Sequence, residues 1–125
     1  MAWEVDVYKE EDGSSPVECY LWSLPEKHLG KLLQIIEMLK ERGPALPFPY
    51  SSQIEGKLRE LRIQYGNTDY RILYYGNRAR SFVLLHAFNK RTEKTPARDK
   101  QLALKRMKID EQRFERRLRH EQKKK

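Results

Sequence analysis

The stretch LRELRIQYGNTDYRILYY, residues Leu58–Tyr75, has the sequence pattern of a β-hairpin. Two runs rich in β-branched and aromatic residues flank Gly66-Asn67, a dipeptide that suits the two-residue turn of a type II′ hairpin. Folding the chain about this turn places Arg62 directly opposite Arg71. Like charges in facing positions destabilise a sheet, so the pair predicts a bound anion that relieves the repulsion. The other face of the hairpin is apolar and carries Leu61, Ile63, Tyr65, Tyr70 and Ile72.

The composition is that of a small basic domain. The 125 residues carry a net charge of +8 at pH 7, and 35% of them are charged. Residues 98–125 hold twelve Lys/Arg against five Asp/Glu, so most of the excess charge lies in the C-terminal segment. We therefore expect one domain over residues 1–107, a basic helical or disordered extension over residues 108–125, and an anionic partner.

Cysteine and histidine usage argues against a metal site. The one cysteine, Cys19, has no disulfide partner within the chain, and its neighbours Tyr20, Leu21 and Trp22 predict a buried structural thiol. Three scattered histidines give no ligand spacing, so we expect neither a metal nor another cofactor. The sequence shows no signal peptide and no apolar run of about 18 residues, which predicts a cytoplasmic protein without a membrane segment.

Hydrophobic periodicity predicts the element order βααβββα. Alternation over Trp3–Lys9 indicates a first strand, and capping signals precede two helices. The proline-rich stretch GPALPFPYSS predicts a loop, and Thr95-Pro96 begins a basic C-terminal helix. Segregated helices and strands predict an α+β fold, with a small, mainly antiparallel sheet packed on the two N-terminal helices. The predicted bounds are 15–23 and 25–42 for these helices, and 56–65, 69–75 and 81–90 for the later strands.

Continuing the pairing into the last strand assigns its side chains to the two faces of the sheet. Val83, Leu85 and Ala87 then join the apolar face. Lys57 also lies opposite to the arginines, unless a bulge near Gly56 turns it over. A shift of one residue would exchange the two faces of the strand. The arginine face receives Phe82, Leu84, His86, Phe88 and Lys90.

The predicted arginine face is a cationic surface with an aromatic neighbour. It gathers Arg62, Arg71, His86 and Lys90, with Phe88 beside them and Lys94 just beyond the strand. Arginine suits bidentate phosphate binding, and the start of the following helix adds a favourable field. The alternative is a solvated face whose arginines pair with carboxylates such as Glu60 and Asp69. Arginines on opposite sides of the sheet, or both held by internal carboxylates, would argue against a phosphate site.

Such a surface has the groups needed to cleave RNA without a metal. RNA carries its own nucleophile, the 2′-hydroxyl, so cleavage needs a base, cations for the phosphate oxygens and an acid for the leaving 5′-oxygen. Neutral lysine can act as the base, and the charges of Arg91 and Lys94 favour that form of Lys90. Phe88, or Tyr70 in another register, would stack on a base.

Three separated blocks, KLRELRI, DYRILYY and VLLHAFNKRTEKTP, occur in this order over roughly residues 54–107. In these blocks the chain resembles the phage-derived, HigB-like branch of the RelE/ParE toxin superfamily. The resemblance implies a ribosome-dependent mRNA endonuclease, neutralised by an antitoxin that usually carries a helix-turn-helix DNA-binding domain. Arg91 replaces the second lysine of the family's Lys-Lys pair. The candidate catalytic residues are Arg62, Arg71, Lys90 and Lys94, and the candidate RNA-binding residues are Lys57, His86, Phe88 and Arg91.

Two other functions remain open, because a fold alone does not determine chemistry. The superfamily also includes non-enzymatic toxins that attack gyrase, which would induce DNA damage signalling and leave mRNA intact. A plain RNA-binding module would bind with a strong salt dependence and yield no 2′,3′-cyclic phosphate ends. A short neighbouring reading frame for a DNA-binding antitoxin would favour a toxin.

Overall fold

The computed structural model describes residues 3–77 and 79–123, and it confirms the predicted α+β class. Four strands, not three, follow the two N-terminal helices. A short 3-10 turn, Gly43–Ala45, separates the helices from these strands. The elements are β1 Glu4–Val7, α1 Pro16–Trp22, α2 Glu26–Arg42, β2 Ser51–Glu55, β3 Leu58–Tyr65, β4 Thr68–Gly76, β5 Ser81–Asn89 and α3 Ala97–Lys123.

The N-terminal helices begin and end at signals present in the sequence. Ser15 caps α1, because its Oγ accepts a hydrogen bond from the Glu18 amide at 3.2 Å. α2 ends at Gly43, whose φ of 55° is favourable for glycine, and a Cβ there would collide with Trp3. These ends fix an apolar stripe of α2 against the sheet, formed by Leu32, Ile35, Ile36 and Leu39.

The sheet has the strand order β1-β5-β4-β3-β2, with β1 parallel to β5 and the other neighbours antiparallel. Its central hairpin pairs as predicted, with Arg62 facing Arg71 and Leu61 facing Ile72. The additional strand, β2, begins in the last two residues of the predicted proline-rich loop and fills the gap between that loop and β3. Its sequence SSQIE is polar and short because it is an edge strand that pairs with β3 alone.

Helices cover both faces of the sheet, so there are two apolar cores. The face of Leu61, Ile63 and Ile72 packs against α1 and α2, as predicted. The opposite face packs against α3, with Leu58 and Ala103 in its core. Because Arg62 and Arg71 alternate with the first set, they lie on the α3 side of the sheet.

A β-bulge interrupts the pairing of β4 with β5. Leu73 pairs with His86, whereas the next residue, Tyr74, pairs with Leu84. Leu85 is therefore an extra residue in β5, and the alternation of side chains inverts across it.

The predicted face assignment of β5 is correct for the residues after the bulge and wrong for the residues before it. Beyond it, Ala87 packs with α1 and α2, and Phe88 lies on the α3 side, as predicted. Before it, the assignment is wrong because the extra residue exchanges the faces. The residues affected are Phe82 and Leu84, which pack with α1 and α2, and Val83 and Leu85, which lie on the α3 side.

α3 continues through residues 108–123 as a single helix. Its contacts with the rest of the fold reach Asp110, which accepts a hydrogen bond from Tyr75 at 2.5 Å, and Arg113, which donates to the Lys9 carbonyl oxygen at 2.6 Å. The domain boundary at residue 107 stays a prediction. None of the helices in residues 3–77 and 79–123 is long and apolar enough to cross a membrane.

Cys19 is exposed, so the prediction of a buried thiol is wrong. α1 buries Val17 and Leu21 on its inner side, which leaves Cys19 and Trp22 on the outer side of the helix. The aromatic neighbours along the sequence misled the prediction, because residues adjacent in a helix point in different directions.

Candidate functional site

A buried carboxylate lies between the two facing arginines. Glu60 Oε1 is 3.1 Å from Arg62 Nη1, and Glu60 Oε2 is 3.6 Å from Arg71 Nε. Glu60 belongs to the same face because it lies two residues before Arg62 in β3. The internal carboxylate relieves the repulsion, so the prediction that a bound anion is needed to explain the pair is wrong.

Glu60 also connects the arginines to neighbouring elements. Its carboxylate accepts hydrogen bonds from Ser52 Oγ in β2 at 3.1 Å and from Thr95 Oγ1 before α3 at 3.3 Å. The side chain is only 3% exposed, so these partners replace the water that an ionised carboxylate needs. Sequence alternation alone would have placed Glu60 on this face, but it does not show that the residue is buried.

Arg71 is almost completely buried, with 3% of its side chain exposed. Its Nη1 donates to Asp69 Oδ1 at 2.7 Å and to the Tyr70 carbonyl oxygen at 2.9 Å. Its Nε has no hydrogen-bond partner among the described residues, because the Glu60 oxygen is too distant. Direct phosphate binding by Arg71 is therefore not possible in this arrangement, and its charge acts on the groups around it.

Arg62 differs from Arg71 because 32% of its side chain is exposed. Its contact with Glu60 engages one of the five N–H groups of a guanidinium, which leaves donors directed elsewhere. The guanidinium carbon lies 5.2 Å from the centre of the Phe48 ring, in the loop before β2. Both arginines are thus paired with internal carboxylates, which argues against a phosphate held between the two of them. Arg62 is the accessible member of the pair and the one that can still contact a ligand.

Lys90 lies half-exposed at the end of β5, where its amide donates to the Asp69 carbonyl oxygen at 2.6 Å. Burial lowers the pKa of its ammonium group, and the charges of Arg71 and Arg62 lower the pKa further. The Glu60 and Asp69 carboxylates oppose this shift. The net direction favours the neutral amine, which is the form that can accept a proton.

An open depression of about 610 Å³ adjoins Lys90. Arg91 is exposed at its rim, and Lys94 is exposed a short distance along the same loop. Thr92 Oγ1 donates to the Lys94 carbonyl oxygen at 2.7 Å and so holds the loop in a compact turn. The lining residues are Asn67, Thr68, Asp69, Asn89, Lys90, Arg91, Thr92 and Glu93, which we call the basin.

His86 and Phe88 are on the predicted face but are engaged within the protein. His86 Nε2 is 2.6 Å from Asp99 Oδ1 in α3, and its ring stacks on Phe88 at 5.3 Å. Phe88 is only 9% exposed, so it offers no surface for a base. Tyr70 faces α2, where its hydroxyl lies 2.7 Å from His28 Nδ1. The structure thus contradicts Phe88 and Tyr70 as stacking residues, because α3 and α2 cover them.

Lys57 lies outside the basin. It follows Gly56 in the β2–β3 turn, and its Nζ forms an ion pair with Glu111 of α3 at 3.0 Å. The side chain therefore reaches the arginine side of the sheet, as the bulge alternative allowed. Five residues of extended strand separate it from Arg62, a distance of roughly 16 Å. The structure does not bring Lys57 together with the other candidates.

Residues 3–77 and 79–123 contain no group of three or more His, Cys, Asp or Glu side chains that could hold a metal ion. The arrangement is instead a partly exposed guanidinium, Arg62, and a half-exposed lysine, Lys90, which lines an open polar depression. It can bind an anion and accept a proton at adjacent positions.

Comparisons with known proteins agree with this fold. In the crystal structure of the archaeal RelE-RelB complex from Pyrococcus horikoshii OT3, one chain is 24% identical to this one and has a TM-score of 0.50. The match covers 71% of this chain and 96% of that chain. No curated protein sequence matches.

The family comparison confirms the resemblance carried by the three sequence blocks. The model for the family described as phage derived protein Gp49-like matches residues 19–108, which include every candidate site residue. This match covers more than half of the sequence. The chain therefore belongs to the phage-derived Gp49-like family.

Proposed function

We propose that this protein is the toxin of a type II toxin–antitoxin system and cleaves mRNA on the ribosome. The observation that supports this proposal most directly is the half-exposed Lys90, whose pKa is lowered beside the accessible guanidinium of Arg62. RNA cleavage needs a group that accepts the proton of the 2′-hydroxyl and a cation that binds the phosphate. Lys90 and Arg62 can supply these two groups. The fold shared with a chain of the RelE-RelB complex also supports the proposal.

Each candidate then has a distinct part in the reaction. Neutral Lys90 takes the proton of the 2′-hydroxyl, whose oxygen attacks the adjacent phosphorus. Arg62 donates to the phosphate oxygens as negative charge develops there. Lys94 and Arg91 supply further positive charge, and a protonated lysine of this loop donates to the leaving oxygen.

The bond from phosphorus to the 5′-oxygen breaks as the new bond forms. The products are a 2′,3′-cyclic phosphate and a free 5′-hydroxyl, with one proton removed from the 2′-hydroxyl by Lys90 and one delivered to the 5′-oxygen. Arg71 does not touch RNA in this scheme. It acts as a positioning residue, because its buried charge lowers the pKa of Lys90 and holds Asp69 and Glu60 in place.

A cognate antitoxin with a helix-turn-helix domain completes the proposal. The matched structure is a complex of RelE with RelB, which supports a protein partner, and the helix-turn-helix domain is proposed from the family resemblance alone. Because mRNA and ribosomes are the target, we place the protein in the cytoplasm.

Induced expression followed by sequencing of RNA ends tests the proposed function. We expect new mRNA 5′-hydroxyl ends within translated regions, and their loss when the adjacent gene is co-expressed. Purified ribosomes programmed with a defined mRNA in a Mg²⁺ buffer should give the same ends, together with 2′,3′-cyclic phosphates. Intact mRNA in both assays would contradict the proposal, and DNA damage signalling would indicate a gyrase poison instead.

The pH dependence of cleavage is expected to report the ionisation of Lys90. The rate should rise with pH as the ammonium loses its proton, with a midpoint below the ordinary lysine pKa of 10.5. Asp69→Asn removes a charge that raises this pKa, so the midpoint should move to lower pH. Arg62→Gln removes a charge that lowers it, so the midpoint should move to higher pH. Single-turnover rates from pH 6 to 10 measure these shifts, and equal midpoints in both variants would contradict the assignment.

One observation favours a second function. Glu60 and Asp69 neutralise much of the charge of the two arginines, as expected for the alternative in which they stabilise a sheet face. In that case Lys90, Arg91 and Lys94 form a basic loop that binds RNA without cleaving it. The same RNA-end assay separates the two functions, because binding alone leaves no cyclic phosphate.

A further inference from the structure

We infer that Phe48 is a stacking subsite for an unpaired nucleobase, next to the phosphate held by Arg62. This inference rests on the RNA substrate of the proposed function. It adds a residue outside the basin and assigns it a ligand class, the flat face of a purine or pyrimidine. It also replaces Phe88 and Tyr70, which are buried.

Phe48 is unusually exposed for a large apolar side chain, at 69%. Leu46, two residues earlier in the same loop, is only 2% exposed and belongs to the core. Leu46 thus packs this loop onto the core, whereas the Phe48 ring points into solvent. An isolated exposed aromatic residue needs no explanation by itself, so its surroundings decide what it can bind.

The loop holds the ring in a defined position. The amides of Tyr50 and Ser51 both donate to the Pro47 carbonyl oxygen, at 3.0 and 3.1 Å. The Arg62 amide in turn donates to the Tyr50 carbonyl oxygen at 2.8 Å, which fastens the loop to β3. Pro47 and Pro49 flank Phe48 and restrict the backbone on both sides. Little conformational freedom is therefore lost when a ligand stacks on the ring.

The position of the ring relative to Arg62 points to a nucleotide. The guanidinium carbon is 5.2 Å from the ring centre, a cation–π contact that keeps the charge beside the aromatic surface. A nucleotide joins a phosphate and a base through one sugar, so a cation and an aromatic ring at adjacent positions can engage both parts. Tyr50, at 37% exposed, adds aromatic surface in the same loop.

An apolar side chain of a protein partner is the other occupant to consider. The charge beside the ring favours a polyanion, because burying Arg62 under an apolar partner would cost the guanidinium its water. Stacking also suits a substrate of varied sequence, since every base offers a π-face. The subsite should therefore bind bases with little sequence preference.

Fluorescence anisotropy with a labelled single-stranded RNA tests the inference at low salt. The oligonucleotide carries 2′-O-methyl groups throughout, so it has no free 2′-hydroxyl and cleavage does not occur, and a matched set places one abasic position at each step. Phe48→Ala should weaken binding by roughly 5- to 100-fold, whereas Phe48→Trp should retain it. Trp22→Ala is the matched control, since Trp22 is 71% exposed on α1, on the other side of the sheet, and binding should not change.

The abasic set identifies what stacks on the ring. For the wild-type protein, one abasic position should weaken binding by about the same factor as the Phe48→Ala substitution does. For the Phe48→Ala variant, the same abasic position should not weaken binding any further. Equal affinity of wild type and Phe48→Ala, a loss that ignores the abasic position, or no binding of the intact oligonucleotide at low salt would overturn the inference. If Phe48→Ala weakened binding to the antitoxin and left binding to the oligonucleotide unchanged, the inference would be overturned and Phe48 would instead contact a protein. A base-dependent loss without cyclic phosphate ends in the RNA-end assay would leave the subsite standing and remove the endonuclease.

Discussion

Replacing Lys90 with methionine is expected to lower the rate of ribosome-dependent mRNA cleavage by about 100-fold or more, the range typical for loss of a general base. Methionine keeps the length and the apolar part of the side chain but cannot take a proton. Lys90 is half-exposed and lies at the end of β5, so the thermal unfolding midpoint should stay close to that of the wild type. Single-turnover cleavage of ribosome-bound mRNA measures the rate, and circular dichroism follows unfolding.

Lys31→Met is the matched control for this variant. Lys31 is also half-exposed, but it lies on α2, which packs on the face of the sheet opposite to Arg62 and Arg71, and it does not line the basin. We expect cleavage within about twofold of the wild type. A Lys90→Met variant that is folded and cleaves normally would remove Lys90 from the mechanism and leave Lys94 as the other candidate lysine between β5 and α3.

A substitution of Lys90 tests the mechanism more directly than one of Arg71, although both are candidate catalytic residues from the sequence. A folded Arg71→Ala variant without activity is the natural expectation from the sequence. The structure adds that Arg71 holds Asp69 and Glu60 while itself almost fully buried. Truncating it would leave Glu60 buried with one fewer partner, so lost activity could not be separated from lost stability.

The elements that sequence patterns predicted correctly are those with strong local signals. The Gly66-Asn67 turn fixed the register of β3 and β4, and Ser15 and Gly43 bounded the N-terminal helices. β2 was not predicted because it is a short edge strand, and its sequence SSQIE lacks the alternation of apolar and polar residues that indicates a strand. The faces of residues 82–85 were inverted because a bulge adds one residue without any composition signal.

The candidate site shows the same division between local and tertiary information. The facing positions of Arg62 and Arg71 follow from the Gly66-Asn67 turn. The placement of Lys90 and Lys94 near them follows from the alternation of side chains along β5, the strand that precedes these lysines. Their burial does not follow, because it depends on tertiary contacts. Glu60 and Asp69 hold Arg71, and α3 packs against Phe88, whereas Arg62 stays partly exposed. Phe48 gave no periodic signal since it lies in an irregular loop, and only its position beside Arg62 relates it to the site.

Replacing Glu60 with glutamine is expected to be the most destabilising change at the site, at about 3–5 kcal/mol in the free energy of unfolding. Glutamine keeps the shape of the side chain but removes the buried charge that both guanidinium groups contact. Arg62 and Arg71 would then face each other across the strands with no carboxylate between them, and Asp69 would be the remaining counterion of Arg71. Urea denaturation at pH 7 measures the loss. Glu55→Gln is the control, because Glu55 pairs with Lys100 at an exposed position, where an ion pair contributes about 0–1 kcal/mol.

The same variant tests whether this position can accept an external anion. If the cations around residue 60 can hold a phosphate, millimolar sulfate or phosphate should stabilise Glu60→Gln more than the wild type, because the anion binds only the folded state. Sodium chloride at equal ionic strength controls for general screening. A gain that is specific to divalent anions would mean that Glu60 occupies an anion site and that a substrate phosphate competes for the same guanidiniums. Equal effects of all salts would mean that the carboxylate only holds the sheet together, and RNA would then contact Arg62 and Lys90 from the outer side alone.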